Sequence, residues 1–166
     1  MTLAPNPADP TTHIIQQVQT AQARGGRPNI RDILGHCIDA LIIRFRQNGS
    51  DILHNNDTFF LFAAKEGIWK IADVVDIKTD IDEWFRSAIN LVPTKQFRSE
   101  VLEGLMMRVH IANVPWGNVR NIIICKNLIA YDLDKGQTVT VKKEWYLRED
   151  NLLNVDWVSG GKCPGW

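Results

Sequence analysis

The sequence predicts an α+β fold: N-terminal helices, a β-hairpin, an αα-hairpin and a C-terminal antiparallel β region. Three observations predict it. Apolar residues recur at helical spacing from Ile30 to Phe45. Aromatic and apolar residues flank the turn Lys65-Glu66-Gly67. From Ile122 onward, short apolar and alternating runs replace the helical period and surround Asp134-Lys135-Gly136. The order helices, hairpin, helices, strands is not a regular βαβ series.

Residues 1–9 read as a disordered lead-in, and residues 10–166 as one α+β domain. Asp9-Pro10 supplies an N-cap and a first-turn proline for a helix from Pro10 to Ala23, with Ile14, Ile15 and Val18 as its apolar stripe. Arg24-Gly25-Gly26-Arg27-Pro28 ends it. The next helix carries Ile30, Ile33, Leu34, Cys37, Ile38, Leu41, Ile42 and Phe45 on one face. Asn29 with Asp32 forms a capping-box-like start, and Gln47-Asn48-Gly49-Ser50 is the stop.

Thr58–Ala64 and Ile68–Ala72 are the hairpin strands, with Phe59, Phe60, Phe62 and Trp69 suited to a half-buried pleated surface. Thr79 with Asp82 opens a helix whose stripe is Ile81, Trp84, Phe85, Ala88, Ile89 and Val92, ended by Pro93. Thr94 caps another helix reaching His110, with Phe97, Val101, Leu102, Leu105, Met106 and Val109 inward. Asn113–Asn118 is a loop. Ile122–Cys125, Leu128–Leu133, Thr138–Lys142 and Leu152–Val158 are strands.

Composition narrows the function classes. The chain has 166 residues, with 19 Lys+Arg against 19 Asp+Glu, 45% hydrophobic and 23% charged residues. That is the composition of a globule, and zero net charge argues against coating nucleic acid by bulk electrostatics. Charge is nevertheless segregated. Between 95 and 126, Lys95, Arg98, Arg108, Arg120 and Lys126 face only Glu100 and Glu103. Between 73 and 86, five acidic residues face Lys78 and Arg86. With Trp116 on a loop, where an aromatic can stack on a base, Lys95, Arg98, Arg108, Trp116, Arg120 and Lys126 are the candidate nucleic-acid contacts.

The other motifs are sparse. There is no GxxxxGK[ST], GxGxxG, HExxH or GxSxG. Cys37, Cys125 and Cys163 are scattered singly and read as free thiols. His13, His36, His54 and His110 share no metal-ligand spacing and are assigned surface or helix-end roles. Asp80 and Asp82 are assigned to the first turn of a helix, where carboxylates complement the dipole. Asp132-Leu133-Asp134 puts two carboxylates on one face of a strand end, a spacing that can hold a divalent cation for nucleotidyl transfer or hydrolysis. The alternative is that Asp134 begins the hairpin turn. With neither a signal peptide nor an apolar run long enough for a bilayer, an intracellular, cytoplasmic location without a membrane partner is expected.

The segments Asn127–Leu133 with Gly136, Leu152–Trp157 and Lys162-Cys163-Pro164-Gly165-Trp166 resemble the pre-helicase domain of phage, plasmid and poxvirus-type primase–helicases, the domain that precedes the superfamily 3 helicase ATPase. Phe60 to Trp69 resembles that family's aromatic strand pair, and the helices of 79–110 fall where the family has helices. The likeness spans about residues 55 to 166. It departs in two places: Leu128 stands where the family has glycine after the asparagine, and the hairpin is one residue longer. The resemblance implies an accessory domain that couples primase and helicase activities and touches single-stranded or forked DNA or the ATPase ring. It carries over no catalytic residue. It implies no cofactor for this chain, ATP and Mg belonging to an attached helicase domain that would also supply any homo-oligomeric ring. A phage-encoded replisome interaction protein is the remaining reading.

Overall fold

The computed structural model describes residues 10–26 and 29–158. It shows a mixed α+β architecture of four helices and two three-stranded antiparallel sheets, helices toward the N-terminus and strands toward the C-terminus. The helices are α1 Pro10–Ala23, α2 Ile30–Phe45, α3 Val74–Trp84 and α4 Lys95–Arg108. The first sheet is β1 Asp51–Asn55, β2 Thr58–Ala63 and β3 Ile68–Ala72; the second is β4 Ile122–Ile124, β5 Ala130–Asp132 and β6 Gln137–Val139. The lead-in, the Asp9 cap, Cys163 and the Cys-Pro-Gly-Trp end lie outside the described residues.

The helical core follows the expected stripes except at Val92, which lies past the helix end at Asn90 and is exposed. Ile14 and Val18 of α1, Ile33, Cys37 and Leu41 of α2, Phe85, and Phe97, Val101 and Leu105 of α4 are all buried in one cluster. Asn29 caps α2 by accepting the Arg31 N–H. Thr94 Oγ1 accepts the Phe97 N–H to start α4. Gly104 lets α4 approach α2: a Cβ there would sit 2.3 Å from Ile38 Cδ1.

Two boundaries differ from expectation. The third helix begins at Val74, not Thr79, because Asp73 Oδ1 accepts the Val75 N–H at 2.7 Å. The β-branched pair Val74-Val75 hides that start, since such residues are poor helix formers. Thr79 sits inside the helix, its hydroxyl donating to the Val75 carbonyl. Asp80 and Asp82 are therefore not first-turn carboxylates; Asp76 holds that place, and Asp82 accepts from Arg98 Nε at 2.7 Å. The helix runs on through a widened π turn, Phe85–Ile89, and stops at Asn90, whose φ of 56° is left-handed.

The expected hairpin is part of a larger sheet. β1 pairs with β2 from Asp51↔Phe62 to Asn55↔Thr58, and β2 pairs with β3 from Phe59↔Ala72 to Ala63↔Ile68. β1 is buried on both faces from Ile52 to Asn55, so it lacks the alternation that marks a half-buried strand. Ile52, Phe59 and Ala72 face the helical core. Leu53, Phe60, Phe62 and Trp69 face the other way, under Ile111, Val114, Trp116 and Tyr146.

The second sheet joins through a third cluster, Ile68, Ile124, Ala130 and Leu147. Gly136, at φ 64°, closes the β5–β6 turn as expected. β6 ends at Val139, short of Lys142. The strand expected over 152–158 does not form. Leu153 makes one parallel bridge with Cys125, and Leu153 and Val155 stay exposed. Asn127 takes over as a side-chain clamp: its Nδ2 donates to the Trp157 carbonyl and its Oδ1 accepts the Trp157 N–H. Trp157 stacks on Tyr131 with centroids 4.8 Å apart and is half-buried, not the core residue its alternating position suggests.

Candidate functional site

The basic residues that cluster between 95 and 126 in sequence do not form one patch. Lys95 and Arg108 lie at opposite ends of α4, about 20 Å apart at 1.5 Å per residue. Arg98 is half-buried and committed to Asp82. Arg108 meets Asp39 of α2 at 3.1 Å, both side chains largely exposed. Arg120 and Lys126 are exposed on the C-terminal side. Trp116 is half-buried: Phe60 packs on it at 4.7 Å, Tyr146 meets it edge-on at 6.3 Å, and the Arg148 guanidinium lies 5.3 Å from its ring centroid. Its ring is thus engaged within the fold.

Tertiary structure gathers other cations instead. Between β1, the end of α4 and the turn of 143–146 lies a cleft of about 270 Å³. Arg46, Arg108, Lys143, His110, Asp51 and Tyr146 are among the residues that line it. Each is brought there by a local device. Arg46 is the C-cap of α2, its N–H returning to Ile42 and Ile43 carbonyls. Lys143 starts a single 3-10 turn, Lys143–Trp145, and its own carbonyl accepts from Trp69 Nε1–H at 3.2 Å. Tyr146 follows that turn at φ 49°, a left-handed conformation that non-glycine residues seldom adopt. Trp69 backs the Tyr146 ring at 5.9 Å and a 16° interplanar angle.

Asp51 organises the charge. Its Oδ1 accepts from Arg46 Nε at 2.9 Å and from the Ile52 N–H at 2.8 Å; its Oδ2 accepts from Lys143 Nζ at 2.8 Å. Burial raises its pKa, but the hydrogen bonds from Lys143, Arg46 and the Ile52 N–H outweigh burial and hold the carboxyl below its ordinary range. One carboxylate thus serves two cations. Lys143 is 39% exposed and Arg46 56%, so both keep donors free for an anion.

One wall of the cleft continues into a histidine pair. His54 Nδ1 and His110 Nδ1 are 3.3 Å apart. Backbone bonds on either side lock them: His54 N–H to the Val109 carbonyl, and Ile111 N–H to the His54 carbonyl, both 2.9 Å. Asn55 Nδ2 adds bonds to the Ile111 and Ala112 carbonyls. His54 is buried, contrary to the surface or helix-end role expected of it, because the Val109–Ile111 backbone covers the free edge of β1 there. Burial lowers its pKa, the His110 charge lowers it further, and Asp57 opposes both. The other two histidines also meet, His13 and His36 having ring centroids 4.2 Å apart between α1 and α2.

Asp132 and Asp134 are engaged in the β5–β6 turn. Asp132 Oδ1 accepts the N–H of Asp134 at 3.0 Å and of Lys135 at 3.1 Å, while Lys135 Nζ lies 3.3 Å from Oδ2. Led by the Lys135 N–H, these bonds hold its pKa below the ordinary value. Asp134 accepts from Asn121 Nδ2 through both oxygens. Among the described residues, no three His, Cys, Asp or Glu side chains gather as a metal would require. No helix among the described residues is long and apolar enough to cross a membrane.

Arg46, Asp51, Lys143 and Tyr146 were not singled out by sequence. Arg46 and Asp51 sit at element ends with no motif around them. The run Lys142-Lys143-Glu144-Trp145-Tyr146, basic and aromatic together, is the signal that points to this segment. Comparisons with protein-family models, curated proteins and solved structures find no match to this chain.

Proposed function

We propose that this chain is an accessory, coupling domain of a phage or plasmid replication primase–helicase, placed before a superfamily 3 helicase ATPase and contacting DNA or the ATPase ring. On this reading it works inside the cell, and ATP and Mg belong to the attached helicase. The observation that carries the reading is Leu128. The resembled family has glycine at this position, and here the backbone adopts φ 62°, the left-handed conformation that glycine takes without strain. The residue differs while the turn keeps the geometry that a glycine position requires. The Leu128 N–H closes that turn on the Cys125 carbonyl at 2.8 Å.

A second arrangement supports it. The aromatic strand pair and the Asn127–Asp132 hairpin are far apart in sequence, yet Ile68 at the start of β3 packs with Ile124, Ala130 and Leu147 in one cluster. Among the described residues, the strand pair and the Asn127–Leu133 segment of the resemblance are thus joined through one cluster.

Fluorescence anisotropy of labelled forked DNA against this chain at about 50 and 200 mM salt tests the DNA contact. Binding that weakens steeply with salt is expected, as phosphate contacts release counterions. No binding at the lower salt removes DNA contact and leaves contact with the ATPase ring, which a pull-down against the helicase domain tests separately.

A further inference from the structure

We infer that the cleft at the β1–α4 seam binds single-stranded DNA, taking backbone phosphates on Arg46, Lys143 and Arg108 and one base against Tyr146. This rests on the DNA-contact reading above and moves the contact from the linear 95–126 cluster to residues far apart in sequence.

The lining holds three cations, Arg46, Lys143 and Arg108, one more than its carboxylates. Arg46 and Lys143 share the single carboxylate of Asp51, which is 13% exposed and committed to both. Among the described residues Arg108 pairs with Asp39 near the surface, a type of pair worth little and easily exchanged. Against these stands Glu144, an exposed carboxylate in the same lining. The aromatic wall calls for a planar group. Tyr146 is half-buried, lines the cleft and is held by Trp69, stacked at 5.9 Å, and by Trp116, edge-on at 6.3 Å, so its ring is fixed before a ligand arrives. A nucleotide presents both a phosphate and a planar base. The cleft volume of about 270 Å³ is near the lower end for small-ligand sites, room for one splayed nucleotide. A duplex keeps its bases stacked inside and can touch only the rim, so the single strand is favoured. The left-handed Tyr146 fits this assignment, since strained residues gather at ligand clamps.

The test uses three probes of equal length: oligo(dT), an abasic oligomer and a duplex. Oligo(dT) is expected to bind tightest. Tyr146→Asn keeps a residue that tolerates the left-handed backbone and is expected to weaken oligo(dT) binding about tenfold while leaving the abasic oligomer unchanged. Tyr146→Phe restores the ring and is expected to restore affinity, which a merely structural loss would not separate between the two probes. Arg108→Gln, at an exposed site, is expected to flatten the salt dependence by about 0.7 in log–log slope. Lys95→Ala and Lys126→Ala, outside the cleft, are expected to leave the preference for oligo(dT) intact. Equal binding of the abasic oligomer and oligo(dT), or loss on Lys95→Ala with none on Arg108→Gln, overturns the cleft assignment while DNA contact stands. Failure of all three probes at low salt overturns both.

Discussion

The helical part of the chain and its C-terminal part treat left-handed backbone differently. Up to α4, the non-glycine residues at positive φ among the described residues are Asn48, Asn56, Asp57 and Asn90. These are the residue types whose short polar side chains tolerate that conformation. Beyond α4 the set among the described residues is Asn121, Leu128 and Tyr146. A leucine and a tyrosine there each cost about 1–3 kcal/mol. The helical part spends buried side chains on long regular elements; the C-terminal part has strands of three residues and holds bulky side chains in strained turns. The difference teaches where to look for function. Strain is kept where the surroundings over-determine it, and here it falls on the turn that carries the resemblance and on the wall of the cationic cleft.

Four substitutions or conditions sharpen that contrast. The largest effect belongs to the helical core. Phe85, fully buried against Trp84 and Phe97, anchors it. Phe85→Ala is expected to cost about 3–5 kcal/mol in chemical denaturation, from lost burial and the cavity left behind. A loss below about 1 kcal/mol contradicts a close-packed helical half.

Leu128 gives the next. Leu128→Val places a β-branched residue in the left-handed region and is expected to cost about 1–2 kcal/mol. Leu128→Gly exchanges strain relief against the lost packing of a half-buried side chain and is expected to be far milder. Equal losses for both would mean that backbone strain is not what distinguishes this turn.

Acidity tests the seam. His54 has its pKa lowered, by burial first and by His110 next. Below about 6.5 the unfolded chain therefore binds a proton that the folded chain resists. Stability is expected to be full above that pH and to fall as pH drops through the lower folded value. Replacing exposed His110 by Ala removes the like charge, which brings the His54 pKa back toward its ordinary value, and is expected to make the fall smaller and end it at higher pH. A pH profile identical in the two proteins means the pair is not coupled. Asp51 acts in a more acidic window: its lowered pKa gives stability that is present above about 3.9 and is lost as pH falls through its folded value.

The smallest effect is chemical. Burial pushes the Cys37 thiol up to about 12. Its reaction with a disulfide reagent at neutral pH is expected only on unfolding, because the thiolate is scarce and the thiol is buried. Fast labelling of Cys37 in the native protein contradicts a sealed helical core.

The helical half was largely legible in the sequence. Long periodic stripes name their own buried face, and α1 and α2 fall where Pro10–Ala23 and Ile30–Phe45 say they should. Asp73 was missed because two valines follow it, and β1 because burial on both faces erases alternation. The seam was not legible. Asp51 meets Lys143 across 92 positions and His54 meets His110 across 56, and neither pairing has a local spacing to betray it. The basic run of 95–126 was visible, but its spread over the fold was not, because a helix distributes its charges around and along its axis.

Hydrogen exchange with and without oligo(dT) tests the central claim most directly. Protection is expected at Arg46 to Asn55, at Arg108 to Ile111 and at Lys143 to Leu147, the three segments that meet at the cleft. Protection confined to Lys95–Leu102, or added nowhere under conditions where the oligonucleotide binds, contradicts it.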